Sequence, residues 1–134
     1  MAPPASDAIP IASASDIVLV RQKVRQVSIQ LKFGLVDQTK IVTAASELAR
    51  NALEHGKGGN CRIEVVENGI RQGLRLRFED KGPGIADIEL AMRDGYTTGS
   101  GLGLGLSGSK RLVNDFEIQS QPGQGTVVTI TRWK

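Results

Sequence analysis

Residues 61–85 read CRIEVVENGIRQGLRLRFEDKGPGI, and their pattern decides the fold. Apolar residues stand at positions 61, 63 and 65 and again at 74, 76 and 78, with charged residues between them. This alternation predicts two strands, each with one buried and one wet face. Asn68-Gly69 predicts a tight turn between the strands, and Asp80 to Gly84 ends the second strand. The chain therefore contains a sheet with one apolar face that other elements must bury.

A helix before this hairpin is predicted to supply part of that cover. Apolar residues recur at steps of three and four between Ile17 and Leu31, which is the period of an amphipathic helix. Ser15 and Asp16 offer N-cap side chains at its start, and the helix is predicted to end near Gly34. Its outer face carries three basic side chains, Arg21, Arg25 and Lys32.

A second helix follows Asp37, with Gly56 as its C-terminal stop. Its buried stripe consists of Ile41, Ala45, Leu48 and Ala52. Ahead of both helices, the segment Ile9-Pro10-Ile11 predicts a short strand at a sheet edge, where proline is tolerated.

The C-terminal half completes the sheet. Residues 88–92 predict a helical turn, and residues 106–113 predict another helix. Residues 116–120 and 126–132 predict a second hairpin. The sum is an α/β fold, a two-layer sandwich in which helices cover one face of an antiparallel or mixed sheet.

The composition fits one small domain and excludes several classes of protein. The 134 residues can bury a core without disulfides or metals, and a single cysteine, Cys61, is normal in a reducing cytoplasm. Lys and Arg are spread along the chain at a net charge of +3, with 4% aromatic residues, which argues against a nucleic-acid partner. No apolar run approaches the ~20 residues that span a bilayer. Residues 1–8 are interpreted as a flexible lead-in to a domain over 9–134, without the features of a signal peptide.

Glycine is the unusual component, with 16 residues and a cluster between positions 95 and 108. Gly103 to Gly108 matches G-x-G-x-x-G, but only a hairpin follows it, so a dinucleotide-binding fold is rejected. A P-loop is rejected because Ser109 stands where that motif needs its lysine. Two interpretations remain: a cradle of backbone N–H groups for phosphate, or a flexible surface loop.

The second helix and the turns beyond it carry candidate site residues. Glu47 and Asn51 share one helical face, either as a solvated flank or as a proton acceptor and a ligand for Mg²⁺. His55, at the helix end, is better explained as a cap than as a catalyst. Asp80 could accept a hydrogen bond from the amine of adenine, or simply end its strand. Thr126 could assist the same contact, or be an ordinary strand residue.

Taken in order, four segments resemble the N, G1, G2 and G3 boxes of the GHKL ATPases, the family of gyrase, heat-shock protein 90, histidine kinases and MutL. These segments are Glu47 to Ala52, Asp80 to Ile85, Thr98 to Leu104 and Gly123 to Thr126. The resemblance implies a Bergerat-type ATP site, in which helices lie over a mixed sheet and a mobile lid covers the nucleotide. It implies ATP and Mg²⁺ as cofactors.

The resemblance also implies roles for particular residues. Asn51 coordinates Mg²⁺ and Glu47 is the general base, while Asp80 binds the adenine amino group with support from Thr126 through water. The other ATP-binding positions that it implies are Gly82, Gly84 and Ile85 beside the base, and Gly99, Gly101, Leu102, Gly103, Leu104 and Gly105 in the lid and phosphate turn.

Within the GHKL family, the chain resembles the small bacterial serine kinases that control sigma factors, and most of all the RsbT-type switch kinases of the stressosome. Segments such as Val36-Asp37-Gln38 and Asp94-Gly95-Tyr96 carry this part of the resemblance. It implies phosphorylation of STAS-domain proteins, followed by binding and activation of a PP2C-type phosphatase. The alternatives are an anti-sigma kinase that sequesters a sigma factor and a nucleotide-gated binding module with negligible kinase activity.

Overall fold

The computed structural model describes residues 7–85, 88–92 and 105–134, which form five strands and four helices. The elements, in chain order, are β1 (Asp7–Ile11), α1 (Ala14–Gln30), α2 (Leu35–Glu54), β2 (Gly59–Asn68), β3 (Arg71–Asp80), α3 (Ile88–Ala91), α4 (Gly105–Arg111), β4 (Asp115–Ser120) and β5 (Thr126–Trp133). Each predicted element is present, and β1 begins at Asp7, two residues before the expected domain boundary.

The five strands form one sheet in the order β1-β2-β3-β5-β4. All four strand pairs in the described part of the chain are antiparallel, so the sheet is antiparallel and not mixed. The connections explain this arrangement. Two hairpins join β2 to β3 and β4 to β5. After β1, the helices α1 and α2 bring the chain back to the same end of the sheet, so β2 starts beside the last residue of β1, where Gly59 pairs with Ile11.

The helices cover one face of the sheet, as predicted. α2 packs against α1, β1, β2 and β3, and α4 packs against α2. The core between the layers joins the apolar stripes of α1 and α2 to the alternate strand residues, among them Val20, Val24, Ile41, Leu48, Leu74, Leu76 and Ile130, each at most 2% exposed. The two-layer α/β sandwich is therefore confirmed.

The ends of α1 differ in detail from the prediction. Ser13 is the N-cap instead of Ser15 or Asp16, because the Asp16 carboxylate reaches back to accept hydrogen bonds from the backbone N–H groups of Ala12 and Ser13. At the other end Lys32 adopts a φ of 63°, and the N–H of Phe33 donates to the carbonyl of Ser28. This left-handed turn stops the helix before Gly34.

No helix within the described residues is long and apolar enough to cross a membrane.

Candidate nucleotide site

The candidate site begins at one end of the sheet, where three strands place polar side chains in a row. Asp80 ends β3 and pairs with Thr126, which opens β5, and Thr126 pairs with Ser120 at the end of β4. Paired residues share a face of the sheet. The pairing thus brings Asp80 and Thr126 together, and both lie on the face that the helices cover.

The Asp80 carboxylate is held by backbone N–H groups and keeps free acceptor capacity. Its Oδ1 accepts a hydrogen bond of 2.9 Å from the N–H of Gly82, and the N–H of Thr126 also donates to the carboxylate. Burial raises the pKa of Asp80, and this effect exceeds the lowering by the two hydrogen bonds. A partly buried carboxylate in this position suits a ligand that donates hydrogen bonds.

Glycines bring backbone close to this carboxylate. A Cβ added at Gly56 would lie 2.2 Å from Cγ of Asp80, and one at Gly82 would lie 2.6 Å from Cα of Gly56. Gly84 has a φ of +78°, and its Cβ would lie 2.1 Å from the carbonyl oxygen of Gln121. Only glycine fits at these three positions, so the backbone of residues 56, 82 and 84 packs closely around Asp80 and the turn that follows it.

A serine that the sequence analysis missed connects the segments around Asp80. Ser120 Oγ accepts a hydrogen bond of 2.7 Å from the N–H of Ile85. It donates one of 2.9 Å to the carbonyl of Gly125, and it lies 2.8 Å from Oγ1 of Thr126. The predicted register of the last hairpin could have identified Ser120, because a five-residue loop between residues 120 and 126 places these two residues opposite each other.

The second helix carries Glu47 and Asn51 towards the same end of the sheet. Glu47 is nearly buried, with 14% of its side chain exposed, and its Oε1 lies 3.5 Å from a guanidinium nitrogen of Arg50. Asn51 is half-buried one turn later. The N–H groups of His55 and Gly56 both donate to the Asn51 carbonyl, so the turn that contains Asn51 leads directly to the glycine packed on Asp80. His55 is the C-cap of α2 and is exposed, in agreement with its interpretation as a cap.

The oxygen donors on α2 fit a magnesium ion that is shared with phosphates. No group of three or more His, Cys, Asp or Glu side chains that could hold a metal occurs among the residues with described positions. Asn51 and Glu47 nevertheless offer oxygen atoms on one helical face, and Mg²⁺ prefers such ligands together with waters and phosphate oxygens.

Most of the glycine cluster lies outside the described residues, namely Gly99, Gly101, Leu102, Gly103 and Leu104. Gly105 is the first residue of α4, and Ser107 and Ser109 in this helix are buried. The cluster thus leads into a helix that packs on α2, the helix of Glu47 and Asn51.

Comparison with known proteins gives a consistent result. The family model described as histidine kinase-, DNA gyrase B-, and HSP90-like ATPase matches residues 36–134. The chain is 47% identical over 118 residues to the serine/threonine-protein kinase RsbT of Bacillus subtilis (strain 168), covering 88% of this chain and 89% of that protein. It is 32% identical over 109 residues to the anti-sigma F factor of Thermoanaerobacter sp. (strain X514), covering 78% and 76% of the two chains.

Solved structures support the fold. A crystal structure of the RsbU and RsbW domains of a Mycobacterium tuberculosis protein matches 99% of this chain with a TM-score of 0.69 at 23% identity. The chain spans about a third of that protein, since 34% of its length is covered. The mycobacterial sensor histidine kinase MprB matches 96% of this chain with a TM-score of 0.56 at 17% identity. At these identities the likeness concerns the fold alone.

Proposed function

The chain belongs to the histidine kinase-, DNA gyrase B- and HSP90-like ATPase family and is a protein serine/threonine kinase, and we propose that it transfers the γ-phosphoryl group of ATP to a STAS-domain protein and thereby switches partners. The observation that carries the proposal is the contact of Gly56 with Asp80. It joins the helix of Glu47 and Asn51 to the carboxylate that suits an adenine amine.

We propose that the base lies on the bare backbone around Gly82 and Gly84, with Asp80 accepting a hydrogen bond from the exocyclic amine. Ile85 closes this side of the base, and Thr126 supports the contact from the next strand. The two backbone hydrogen bonds to Asp80 orient the carboxylate before the base arrives, so little ordering is left for binding.

The phosphates then extend along α2 towards Glu47. Asn51 supplies a side-chain oxygen to Mg²⁺, and the segment from Gly99 to Gly105 supplies backbone N–H groups to the phosphates. When bound, Mg²⁺ offsets the charge that develops on the phosphoryl group during transfer.

Glu47 is proposed as the general base. The hydroxyl oxygen of a substrate serine or threonine attacks the γ-phosphorus, and the bond from that phosphorus to the bridging oxygen breaks, which releases ADP. Glu47 takes the hydroxyl proton. The contact with Arg50 restrains the Glu47 side chain, which reduces the conformational freedom lost when substrate docks.

The resemblance to the RsbT-type kinases supports one set of partners. In this proposal the phosphorylated STAS-domain protein releases the kinase, which then binds and activates a PP2C-type phosphatase. We propose that the kinase domain covers residues 9–134 together with the first two residues of β1, which begins at Asp7, and that the protein acts in the cytoplasm.

A second candidate function is sequestration of a sigma factor by an anti-sigma kinase. It is favoured by the 32% identity to an anti-sigma F factor over more than three quarters of both chains. Capture experiments with a purified sigma factor and a purified PP2C-type phosphatase distinguish the two, because each function requires a stable complex with only one of them.

The kinase proposal is tested by transfer of radiolabel from γ-labelled ATP to a purified STAS-domain protein. We expect transfer by the wild type, at least a hundredfold slower transfer by E47Q, and nearly normal ATP binding by that variant. E54Q is the matched control, since Glu54 is exposed near the end of the same helix. Equal rates for E47Q and the wild type would contradict the assignment of Glu47, and absence of transfer by the wild type would contradict the proposed function.

A further inference from the structure

Ser120 is the feature of the site that the proposed roles leave unexplained. It is partly buried, and its single hydroxyl group has three hydrogen-bonding neighbours, namely the N–H of Ile85, the carbonyl of Gly125 and the hydroxyl of Thr126. These distances run from 2.7 to 2.9 Å, so all three are within ordinary hydrogen-bond range. One side chain thus joins the segment after Asp80 to the start of β5.

Only one assignment of donors and acceptors in this cluster makes every contact a hydrogen bond. A serine hydroxyl has one hydrogen to donate and lone pairs to accept with. The Ile85 N–H can only donate, and the Gly125 carbonyl can only accept, so the hydrogen of Ser120 goes to Gly125. The contact between Ser120 and Thr126 then becomes a hydrogen bond only if Thr126 is the donor.

This direction determines what Thr126 can offer to a ligand. Once its hydrogen is committed to Ser120, the Thr126 oxygen has only lone pairs left. Its neighbour across the sheet, Asp80, is also an acceptor when ionised. Two adjacent acceptors complement an amino group, which carries two hydrogens, whereas they repel a carbonyl oxygen.

We propose that Ser120 is a positioning residue for base specificity: it fixes the Thr126 hydroxyl as an acceptor, so that the site selects a purine with a 6-amino group over one with a 6-oxo group. This inference rests on the proposed function, because it takes the base site to lie at Asp80 and Thr126. It adds a specificity role for a residue that lies behind the base and does not touch it.

The test compares Mg-ATP with Mg-ITP, in which a 6-oxo group replaces the 6-amino group and N1 carries a hydrogen; the N1 difference is the same for every variant, so the comparison between variants reports on position 6. The measured quantity is the ratio of the dissociation constants of ITP and ATP, obtained by calorimetry for the wild type, S120A, T126V and the double variant. We expect S120A to lower this ratio about tenfold, because the Thr126 hydroxyl becomes free to donate a hydrogen bond to a 6-oxo group. One hydrogen bond changes a dissociation constant by about this factor. In the T126V background, S120A should leave the ratio unchanged.

The control variant is S28A, because Ser28 is a buried serine on α1 whose hydroxyl donates to the Arg25 carbonyl. We expect the ratio for S28A to equal that of the wild type. If Ser120 only stabilises the segments that it joins, S120A will weaken the binding of ATP and ITP equally. The ratio of the two dissociation constants will then not change, which overturns the inference. T126V tests the same point without altering Ser120: a ratio equal to that of the wild type shows that the Thr126 oxygen does not discriminate.

Failure of the inference and failure of the proposed function give different results. A wild type that binds neither nucleotide contradicts the proposed function. A wild type that prefers ATP while S120A keeps the full preference contradicts only the role of Ser120.

Discussion

Gly56, just beyond the end of α2, lies directly against the carboxyl group of Asp80 at the end of β3. A Cβ at Gly56 would stand 2.2 Å from Cγ and 2.5 Å from Cβ of Asp80. No side chain therefore separates the helix that carries Glu47 and Asn51 from the strand that carries the base-binding candidate. The distance between the two ends of the proposed ATP site depends on this contact.

Substitution of Gly56 by alanine is expected to damage both the site and the fold. The added methyl group must displace the Asp80 side chain, and overpacking of this kind costs about 1–3 kcal/mol. We expect G56A to lower the unfolding midpoint in urea and to weaken Mg-ATP binding at least tenfold, both measured on the purified protein. The control is G34A, because a Cβ at Gly34 would approach no closer than 4.0 Å to the nearest neighbouring side chain. Wild-type ATP affinity in G56A would contradict the placement of the base beside Asp80.

The contact of Gly56 with Asp80 also illustrates what a sequence can predict. The strands around Leu74 and Leu76 were predicted correctly because burial of one face imposes a period of two on the residues themselves. The helices were predicted for the same reason at a period of three to four. Gly56 was recognised only as a helix stop, since its second role arises from a contact with a residue far along the chain.

Two errors have similar physical causes. The resemblance implied a mixed sheet, whereas all described strand pairs are antiparallel, because the relative direction of two strands is set by pairing across the fold, which alternation within one strand does not reveal. Ser15 and Asp16 were taken for caps of α1, whereas Asp16 acts from inside the first turn on the N–H groups of Ala12 and Ser13. Polar residues at a helix start identify the start to within a turn but not the cap itself.

Asp80 gives a prediction for the pH dependence of stability. Its pKa is raised in the folded protein above the ordinary value of 3.8, mainly by burial, so the folded state holds the proton more tightly than the unfolded state. The tighter proton binding stabilises the folded state fully at pH values below the pKa of Asp80 in the unfolded chain. This stabilisation is lost as the pH rises through the higher pKa of Asp80 in the folded protein. Relative to D80N, which does not titrate, the wild type should therefore lose thermal stability as the pH rises from about 3.5 towards neutrality.

Thermal unfolding of the two proteins over this pH range measures the effect as the difference between their midpoints. E79Q serves as the control, because Glu79 precedes Asp80 but projects from the opposite face of the strand, where it pairs with Arg77. A midpoint difference between wild type and D80N that does not change with pH would contradict the raised pKa of Asp80.

Cys61 is expected to be chemically inert in the native protein. Its side chain is fully buried in the core, and burial raises the pKa of its thiol to about 12. At about pH 8 almost no thiolate is present, and the thiolate is the reactive form. A disulfide reagent should thus modify Cys61 only as fast as the protein opens, and modification should accelerate in urea along the unfolding transition. Rapid stoichiometric labelling without denaturant would contradict this burial.

The ion pair between Arg132 and Asp37 is expected to stabilise the packing of three elements. Arg132, on β5, donates to the Asp37 carboxylate in the first turn of α2 and, at 2.9 Å, to the carbonyl of Leu112 just after α4. Only 14% of the Arg132 side chain is exposed, whereas 40% of the Asp37 side chain is, so the pair is shielded from solvent on the guanidinium side only. We expect R132M to cost about 1–3 kcal/mol of unfolding free energy, since it leaves both acceptors without their donor.

A double-mutant cycle with R132M and D37N measures the interaction between these two side chains apart from their other contacts. Urea unfolding of the wild type, the two single variants and the double variant should give a coupling free energy of about 1–2 kcal/mol. The matched control is the pair of Arg77 and Glu79, whose side chains are 49% and 43% exposed at a separation of 3.5 Å. For that exposed pair the coupling should stay below about 1 kcal/mol and decrease in high salt. Equal couplings in the two cycles would show that burial of Arg132 adds nothing to its interaction with Asp37.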